Sequence, residues 1–298
     1  MKIGFIGAGK VGKAFGAYLV KHKHVLSGYF SQSIESAKEA ASLTNSGYYS
    51  RIEDLVKTSD LIFITTPDSV IETVANQIAK IYSEENSIRS LGLLKGKTFV
   101  HMSGAHSSEC LKVLEIKGAD VASLHPIQSI ADVETAVKQL ETSVFSIEGT
   151  QGALNSLIEL LEKMQNTYFT IKSEQKTLYH MAACTVSNYL VTLVDAGLSM
   201  YESIGIDRET GYKALYPLIR GTVENLKHMD TKEALTGPIA RGDINTVKAH
   251  LNAVHDKQLE DFYRFLGQAT VRIAKQKSHA DSSKLGKLEE LLDDEVKS

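Results

Sequence analysis

The chain opens Met1-Lys2-Ile3-Gly4-Phe5-Ile6-Gly7-Ala8-Gly9-Lys10-Val11-Gly12, and the reading of this stretch decides the fold. A short apolar strand, Ile3 to Ile6, runs straight into a glycine turn, and a helical pattern follows from Val11 to Lys21. Strand, glycine turn and helix in that order form the context that a dinucleotide-binding fingerprint requires. Gly7 permits the tight turn, Gly9 lets backbone approach a pyrophosphate, and Gly12 lets the helix pack closely on the strand. The free N–H groups of the helix start, with the helix dipole behind them, attract the anionic pyrophosphate. Gly7, Ala8, Gly9, Lys10, Val11 and Gly12 are therefore the expected cofactor loop.

Outward from this loop, strands and helices alternate, which predicts a parallel sheet with helices on both faces. Further strands are expected at Val25–Phe30, Asp60–Thr65, Thr98–His101, Asp120–Leu124, Ser143–Ile147 and Tyr168–Ile171. Ser33 reads as the N-cap of a helix from Ile34 to Leu43, and helices are expected at Val70–Tyr82 and Ala153–Met164. The polar run Ser83–Ser90 reads as a surface insertion. After Lys172 strand signals stop, and long helices are expected at Gln175–Ile204, Arg208–Lys227, Ile244–Val254 and Lys257–Lys275. The end, Ser278–Ser298, is charged and reads as a terminal helix or a solvated tail. The expected fold is α/β: a Rossmann-type doubly wound sheet over residues 1–172, then a smaller all-α substrate and dimerisation domain over 173–298.

The 298 residues exceed the usual span of one hydrophobic core, in keeping with two domains. The 33 basic and 36 acidic residues leave a net charge of -3, which argues against a nucleic-acid platform. No run approaches the ~20 continuous apolar residues of a membrane helix, and no leader is expected before the first strand. Cys110 and Cys184 form no CxxC pair, and the chain reads as cytoplasmic. The histidine pairs lack metal-ligand spacing, and no GxSxG nucleophile elbow is present, so metalloenzyme and hydrolase readings are weak.

Cofactor choice turns on the end of the second strand, where an acidic residue would bind the ribose 2′-OH of NAD. Tyr29-Phe30-Ser31-Gln32-Ser33 carries no carboxylate. Ser31, Gln32 and Ser33 can donate hydrogen bonds to a 2′-phosphate, which favours NADP and leaves NAD as the alternative. No arginine stands there, and Ser33 also reads simply as a helix cap.

In doubly wound sheets ligands bind beyond the carboxyl ends of the strands. Thr66-Pro67-Asp68 there is expected to pass over the cofactor, or else to form a turn in which Asp68 caps the next helix. Ser103 is a contact for cofactor or substrate, or plain turn chemistry. His125 is a proton donor, or part of a rigid His-Pro loop. On the long helix, His180, Cys184, Ser187, Asn188 and Asp195 recur on one face among apparent core residues Met181, Ala182, Ala183, Val186, Leu190 and Leu193. His180 reads as proton donor or anchor, Asn188 as the residue orienting the substrate, and Ser187 as a polarising group. Singly, each reads as a buried polar group bonded to a neighbour. Arg241, in Thr236-Gly237-Pro238-Ile239-Ala240-Arg241-Gly242-Asp243, is a clamp for a substrate carboxylate or an interdomain strut, and Asp243 a helix cap.

The opening MKIGFIGAGKVGKAFGAYL, with ITTPDSVIETVA, FVHMSGAHSSECL, SLHPIQSI, YHMAACTVSNYLVTLVDAG and ALTGPIARGDINTVKAHL, resembles one group of Rossmann-like oxidoreductases. That group carries an uncharacterised helical C-terminal domain and is described as F420-dependent NADP oxidoreductase-like. The N-terminal motifs are shared with pyrroline-5-carboxylate, ketopantoate and prephenate enzymes, whereas GPIARGD is particular to the one group. The resemblance implies a homodimer formed through the helical domain, with a small-molecule substrate in an interdomain cleft. Some members resemble an alternative ketopantoate reductase, although no lysine is read on the helix face where that reductase carries its proton donor.

These readings converge on an NADP-dependent reductase of a small carbonyl or imine compound, possible substrates including a 2-oxo acid such as ketopantoate. The rival is a non-catalytic NADP(H) sensor, and a third reading gives the hydride to a deazaflavin.

Overall fold

A computed structural model describes residues 1–82 and 94–293; the Ser83–Ser90 run lies outside the described residues. The chain divides into two compact units, Met1–Val186 and Ser187–Ser298. The division falls inside a long helix, whereas the expected line followed the last strand.

The first unit runs β1 (Ile3–Ile6), α1 (Lys10–Lys21), β2 (Leu26–Phe30), α2 (Ile34–Thr44), β3 (Gly47–Tyr49), α3 (Ile52–Thr58), β4 (Leu61–Ile64) and α4 (Asp68–Ile81). It continues with β5 (Thr98–His101), a 3-10 turn (Ser108–Leu111) and α5 (Lys112–Ile116), then β6 (Asp120–Pro126), α6 (Val133–Leu140), β7 (Phe145–Gly149), α7 (Gln151–Lys163) and β8 (Tyr168–Thr170). A second 3-10 turn (Ser173–Gln175) opens α8 (Lys176–Ser203), which carries the chain into the second unit.

The eight strands lie in the order β3-β2-β1-β4-β5-β6-β7-β8. Strand order reverses between β1 and β4, so the crevice at their carboxyl ends is the ligand-binding position of a doubly wound sheet. The sheet is mostly parallel, as expected, with one exception at β7, which pairs antiparallel with β6. That pairing matches His125 with Ser146 and Pro126 with Phe145, so these two residues belong to β6 and not to a loop after it. An antiparallel partner arriving from the far side extends the ladder past the point where the apolar run stops.

β1 and β4 are buried on both faces, as central strands beneath helices must be. Alternation sends Phe5 and Phe63 to one side, where they stack at 5.3 Å and meet Phe15 of α1. Ile6, Ile62 and Ile64 go to the other side with Phe99 and α4. Tyr18 of α1 donates to Asn166 Oδ1 at 2.9 Å, and Asn166 in turn donates to Leu140 O, tying α1 to the far half of the sheet.

The second unit holds the rest of α8, then α9 (Arg208–His228), α10 (Thr231–Ala234), α11 (Gly237–Arg241), α12 (Ile244–Ala253), α13 (Lys257–Ala274) and α14 (Ser282–Leu292). Its core gathers Ile239, Val247, Leu251, Val271, Leu285 and Leu288. Within the described residues, the charged C-terminal segment forms a docked helix, Ser282–Leu292. Leu285, Leu288 and Leu292 form its buried stripe, and Asp281 caps it by accepting from Lys284 N. At its other end Arg264 and Gln268 donate to the carbonyls of Leu291 and Leu292.

One expectation about α8 is overturned. Met181, Val186, Leu190 and Leu193, read as core, are exposed, and Tyr189 and Val191 beside them as well. Tyr212, Tyr216, Leu218 and Val223 of α9 are exposed too. Apolar residues lie along much of α8's circumference, so the sequence pattern cannot tell which side a single chain covers. Among the described residues one stretch, Ser173–Ser203, is long and apolar enough to cross a membrane by length and composition, with mean hydropathy 1.3. At its start Lys176 alone is buried, and it donates to Ser123 on β6.

Candidate active site at the carboxyl edge of the sheet

The glycine loop has the shape its sequence requires. Gly7 has φ +110, and a Cβ there would meet the Thr65 carbonyl at 2.7 Å. At Gly12 a Cβ would lie 2.5 Å from Gly7 O and 2.6 Å from Thr65 Oγ1, so only glycine lets α1 approach the β1 and β4 ends this closely. Gly9 differs: its backbone is ordinary extended chain and a Cβ there would meet nothing within 4 Å. Gly9 also stands at the N-cap of α1, with no side chain capping the helix. Bare N–H groups at a twelve-residue helix, behind an open glycine, suit a pyrophosphate.

Beside the loop, after β4, Thr66 Oγ1 is buried and makes no hydrogen bond, so it can serve a bound molecule. Pro67 precedes α4. Asp68 does not cap that helix; its carboxylate accepts from Ser103 Oγ at 2.7 Å. Ser103 Oγ accepts in turn from the N–H groups of Ala105 and His106, each at 3.1 Å. This serine is therefore engaged in shaping the turn after β5. At the second strand, Ser33 caps α2 by accepting from Ser36 N, and its hydroxyl donates to Glu35 at 3.0 Å. Ser31 is half-buried and Gln32 exposed. The exposed carboxylate of Glu35, two residues beyond the window read for NAD preference, was not anticipated.

The densest polar group in this unit lies where α8 meets β5 and β6. Lys176, 1% exposed, donates from Nζ to Ser123 Oγ on β6 at 2.7 Å. Its Nζ also stands 5.4 Å above the Tyr179 ring. Burial pushes the Lys176 ammonium down to about 8, against the opposing pull of Glu148 and Asp68. The unfolded chain keeps this proton up to its ordinary value, so the charge burdens the fold at neutral pH and the burden is relieved as pH rises above 8. Glu148, also buried, accepts from Ser108 N at 2.6 Å, Ser108 Oγ at 2.8 Å and Ser173 Oγ at 2.8 Å. It thereby holds the turn before α8 against β7.

Three and four residues after Lys176, Tyr179 and His180 face the same way. The Tyr179 hydroxyl lies 2.6 Å from His125 Nδ1. The His125 and His180 rings meet edge to face at 6.2 Å. Gly104 is the floor beneath them: a Cβ there would lie 2.7 Å from His180 Nδ1 and 2.8 Å from His125 Nε2. His180 Nδ1 is buried and has no hydrogen-bond partner, while Nε2 lies 3.4 Å from Cys184 Sγ. Burial, with Lys176 and His180 nearby, holds His125 down to about 4, so it is a neutral hydrogen-bonding imidazole near pH 7. His101, fully buried behind them, is likewise held to about 4 by burial, and its Nδ1 accepts from Ser103 N.

Of the sequence candidates, then, His125 and His180 are brought together. Ser187 and Asn188 are exposed on α8, in the second unit. Asp195 forms an ion pair with Arg208, which also binds Glu202 at 2.9 Å. Arg241 is exposed at the end of α11, and Asp243 caps α12 by accepting from Thr246 N at 3.1 Å. Sequence reasoning missed Lys176, Tyr179 and Gly104. The signal for the first was present: a lysine four residues before His180, on the same helix face, reads as solvated only because it opens the helix. The statement that this face carries no lysine is corrected accordingly.

A Rossmann-like domain model matches residues 1–126, and a model described as domain of unknown function (DUF2520) matches residues 143–270. No curated protein matches the chain in sequence. Protein TM1727 from Thermotoga maritima is 27% identical with a TM-score of 0.72, over 92% of this chain and 98% of that one. An imine reductase from Myxococcus stipitatus, in complex with NADP+, is 14% identical with a TM-score of 0.63, over 97% and 99%. A Plasmodium falciparum pyrroline carboxylate reductase with NADP bound is 15% identical with a TM-score of 0.57, over 98% of each chain. These last two share the fold. Residues 1–126 are thus similar to Rossmann-like domains, and residues 143–270 to the DUF2520 domain.

Proposed function

We propose that this protein is an NADP-dependent reductase of a small carbonyl or imine compound, with 2-oxo acids such as ketopantoate in its substrate range. One observation carries the reading. A loop built for a dinucleotide and a buried cluster of proton-handling groups stand at the same carboxyl edge of one sheet. The imine and pyrroline carboxylate reductases of like fold are recorded with NADP, which supports the choice of cofactor.

Gly7 to Gly12 and Thr66 would hold the pyrophosphate side, with Ser31, Gln32 and Ser33 at the 2′-phosphate. The reduced nicotinamide supplies a hydride when bound. His125 and His180 hold the oxygen or nitrogen on the reacting carbon, and Lys176 is the acid nearest its working pH. Ser187 and Asn188 orient the substrate, and Arg241 clamps a carboxylate where the substrate has one.

The exposed apolar stripe of α8 and α9 supports a homodimer formed through the helical unit. Between these helices an open groove of about 410 Å³ is lined by Leu190, Val194, Leu198, Tyr212 and Ile219. Two free cysteines suit a reducing cytoplasm.

The test is direct. NADPH should bind more tightly than NADH, and its absorbance should fall with at least one member of a panel of 2-oxo acids, ketopantoate and cyclic imines. Tight NADPH binding with no oxidation across the panel would favour the sensor, and failure to bind either nucleotide would sink both readings. Gly9→Val should leave the melting temperature within about 2 °C of wild type but weaken NADPH binding at least about tenfold, because its side chain enters open space where the pyrophosphate approaches. A deprotonating acid predicts that kcat/KM stays level up to pH 8 and falls above it, while Lys176→Met lowers the plateau and removes that falling limb. Sedimentation should give a dimer, and Leu218→Asp with Val223→Asp should give a monomer; a wild-type monomer at micromolar concentration would end the dimer proposal.

A further inference from the structure

We propose that Tyr179 is a positioning residue that fixes His125 in the tautomer with its hydrogen on Nε2, completing a two-point cradle with His180 Nδ1 for one polar atom of the substrate. The identity of that atom, a carbonyl oxygen or imine nitrogen on the reacting carbon, rests on the reductase reading; the tautomer does not.

Three observations carry this. First, a neutral imidazole has one N–H, and the partner of one nitrogen decides where it sits. The Tyr179 hydroxyl is 2.6 Å from His125 Nδ1. Ser146 Oγ also lies near the Tyr179 hydroxyl but outside hydrogen-bond geometry; the phenol hydrogen is assigned to the partner in good geometry, His125 Nδ1 at 2.6 Å. The His125 hydrogen is then on Nε2.

Second, His125 Nε2 and His180 Nδ1 both border the position that a Gly104 side chain would take. Their distances to the position of a Gly104 Cβ place the two nitrogens within about 5.5 Å of each other, yet no hydrogen bond joins them. A buried, unpartnered nitrogen costs free energy that a bound polar atom would recover. One atom between the rings would be within reach of both.

Third, Tyr179 is itself held in place. Its ring meets Phe169 edge to face at 6.0 Å and His125 at 5.7 Å, with the Lys176 ammonium above it. It has the fixed aim that setting a tautomer requires.

Two measurements test the proposal. In protein labelled with 15N-histidine, long-range proton–nitrogen spectra at pH 7 should show His125 protonated on Nε2, and Tyr179→Phe should produce a mixture of tautomers or a switch to Nδ1. His125 protonated on Nδ1 in wild type, or an unchanged tautomer in Tyr179→Phe, would overturn it. Tyr179→Phe keeps the ring and its packing; its melting temperature checks the fold. On a substrate found in the panel, Tyr179→Phe should lower kcat at least about tenfold with NADPH affinity unchanged. In a His125→Gln background, which has no Nδ1, the same substitution should change kcat less than about twofold. Equal losses in both backgrounds would make Tyr179 merely structural and overturn the proposal. Should no substrate turn over, the spectra still decide the tautomer, so failure of the reductase reading and failure of this one are told apart.

Discussion

The hydrogen bond from the Lys176 ammonium to Ser123 is the contact on which the candidate site of this protein depends. It joins two groups with almost no exposure, one at the head of α8 and one on β6. A charge in that position is costly, and burial lowers the proton affinity of Lys176 in consequence. What it secures is the register of α8: once Lys176 is fixed, helical geometry carries Tyr179 and His180 to His125. Glu148 does the companion work from β7, accepting one hydrogen bond from Ser173 in the turn that precedes the helix and two from Ser108 in the turn after β5.

The three glycines of the opening loop answer to two different demands. Gly7 and Gly12 are required by the fold, since a side chain at either would strike backbone of the adjoining turn. Nothing in the fold requires Gly9, whose missing side chain leaves only open space. The protein's own packing therefore accounts for two glycines and not for the third, which stands where the proposed pyrophosphate would approach.

Much of the architecture was legible from local chemistry. The buried strands β1, β4 and β5 are short apolar runs that end in turn residues, and Ser33 caps α2 as its position before an amphipathic run implies. The elements passed over, β3, α3, α5, α6, α10 and α11, are three to eight residues long, too short for a periodic signal. The reversal at β7 was illegible because strand direction leaves no trace in a strand's own composition. The site was half legible. His125 and His180 are 55 residues apart, and each could be singled out as a titratable group near a strand end or on a helix. Ser103 could be singled out equally well, but its hydroxyl is taken up by Asp68 and two backbone N–H groups. Only the tertiary structure distinguishes a free polar group from an engaged one.

By itself the sequence determined the glycine loop, the doubly wound half and the helical half, because these follow from residue types at short spacing. Tertiary structure alone decided which polar residues are free, which lysine is buried, and which apolar face of α8 the chain leaves uncovered. The physical reason is range. Turn chemistry and periodicity act over a few residues and are written in their order, whereas burial and hydrogen-bond partnership depend on segments that meet only after folding. Lys176 shows the difference most plainly: at the start of a helix it reads as solvated, and it is the contact between α8 and Ser123 that takes it out of water.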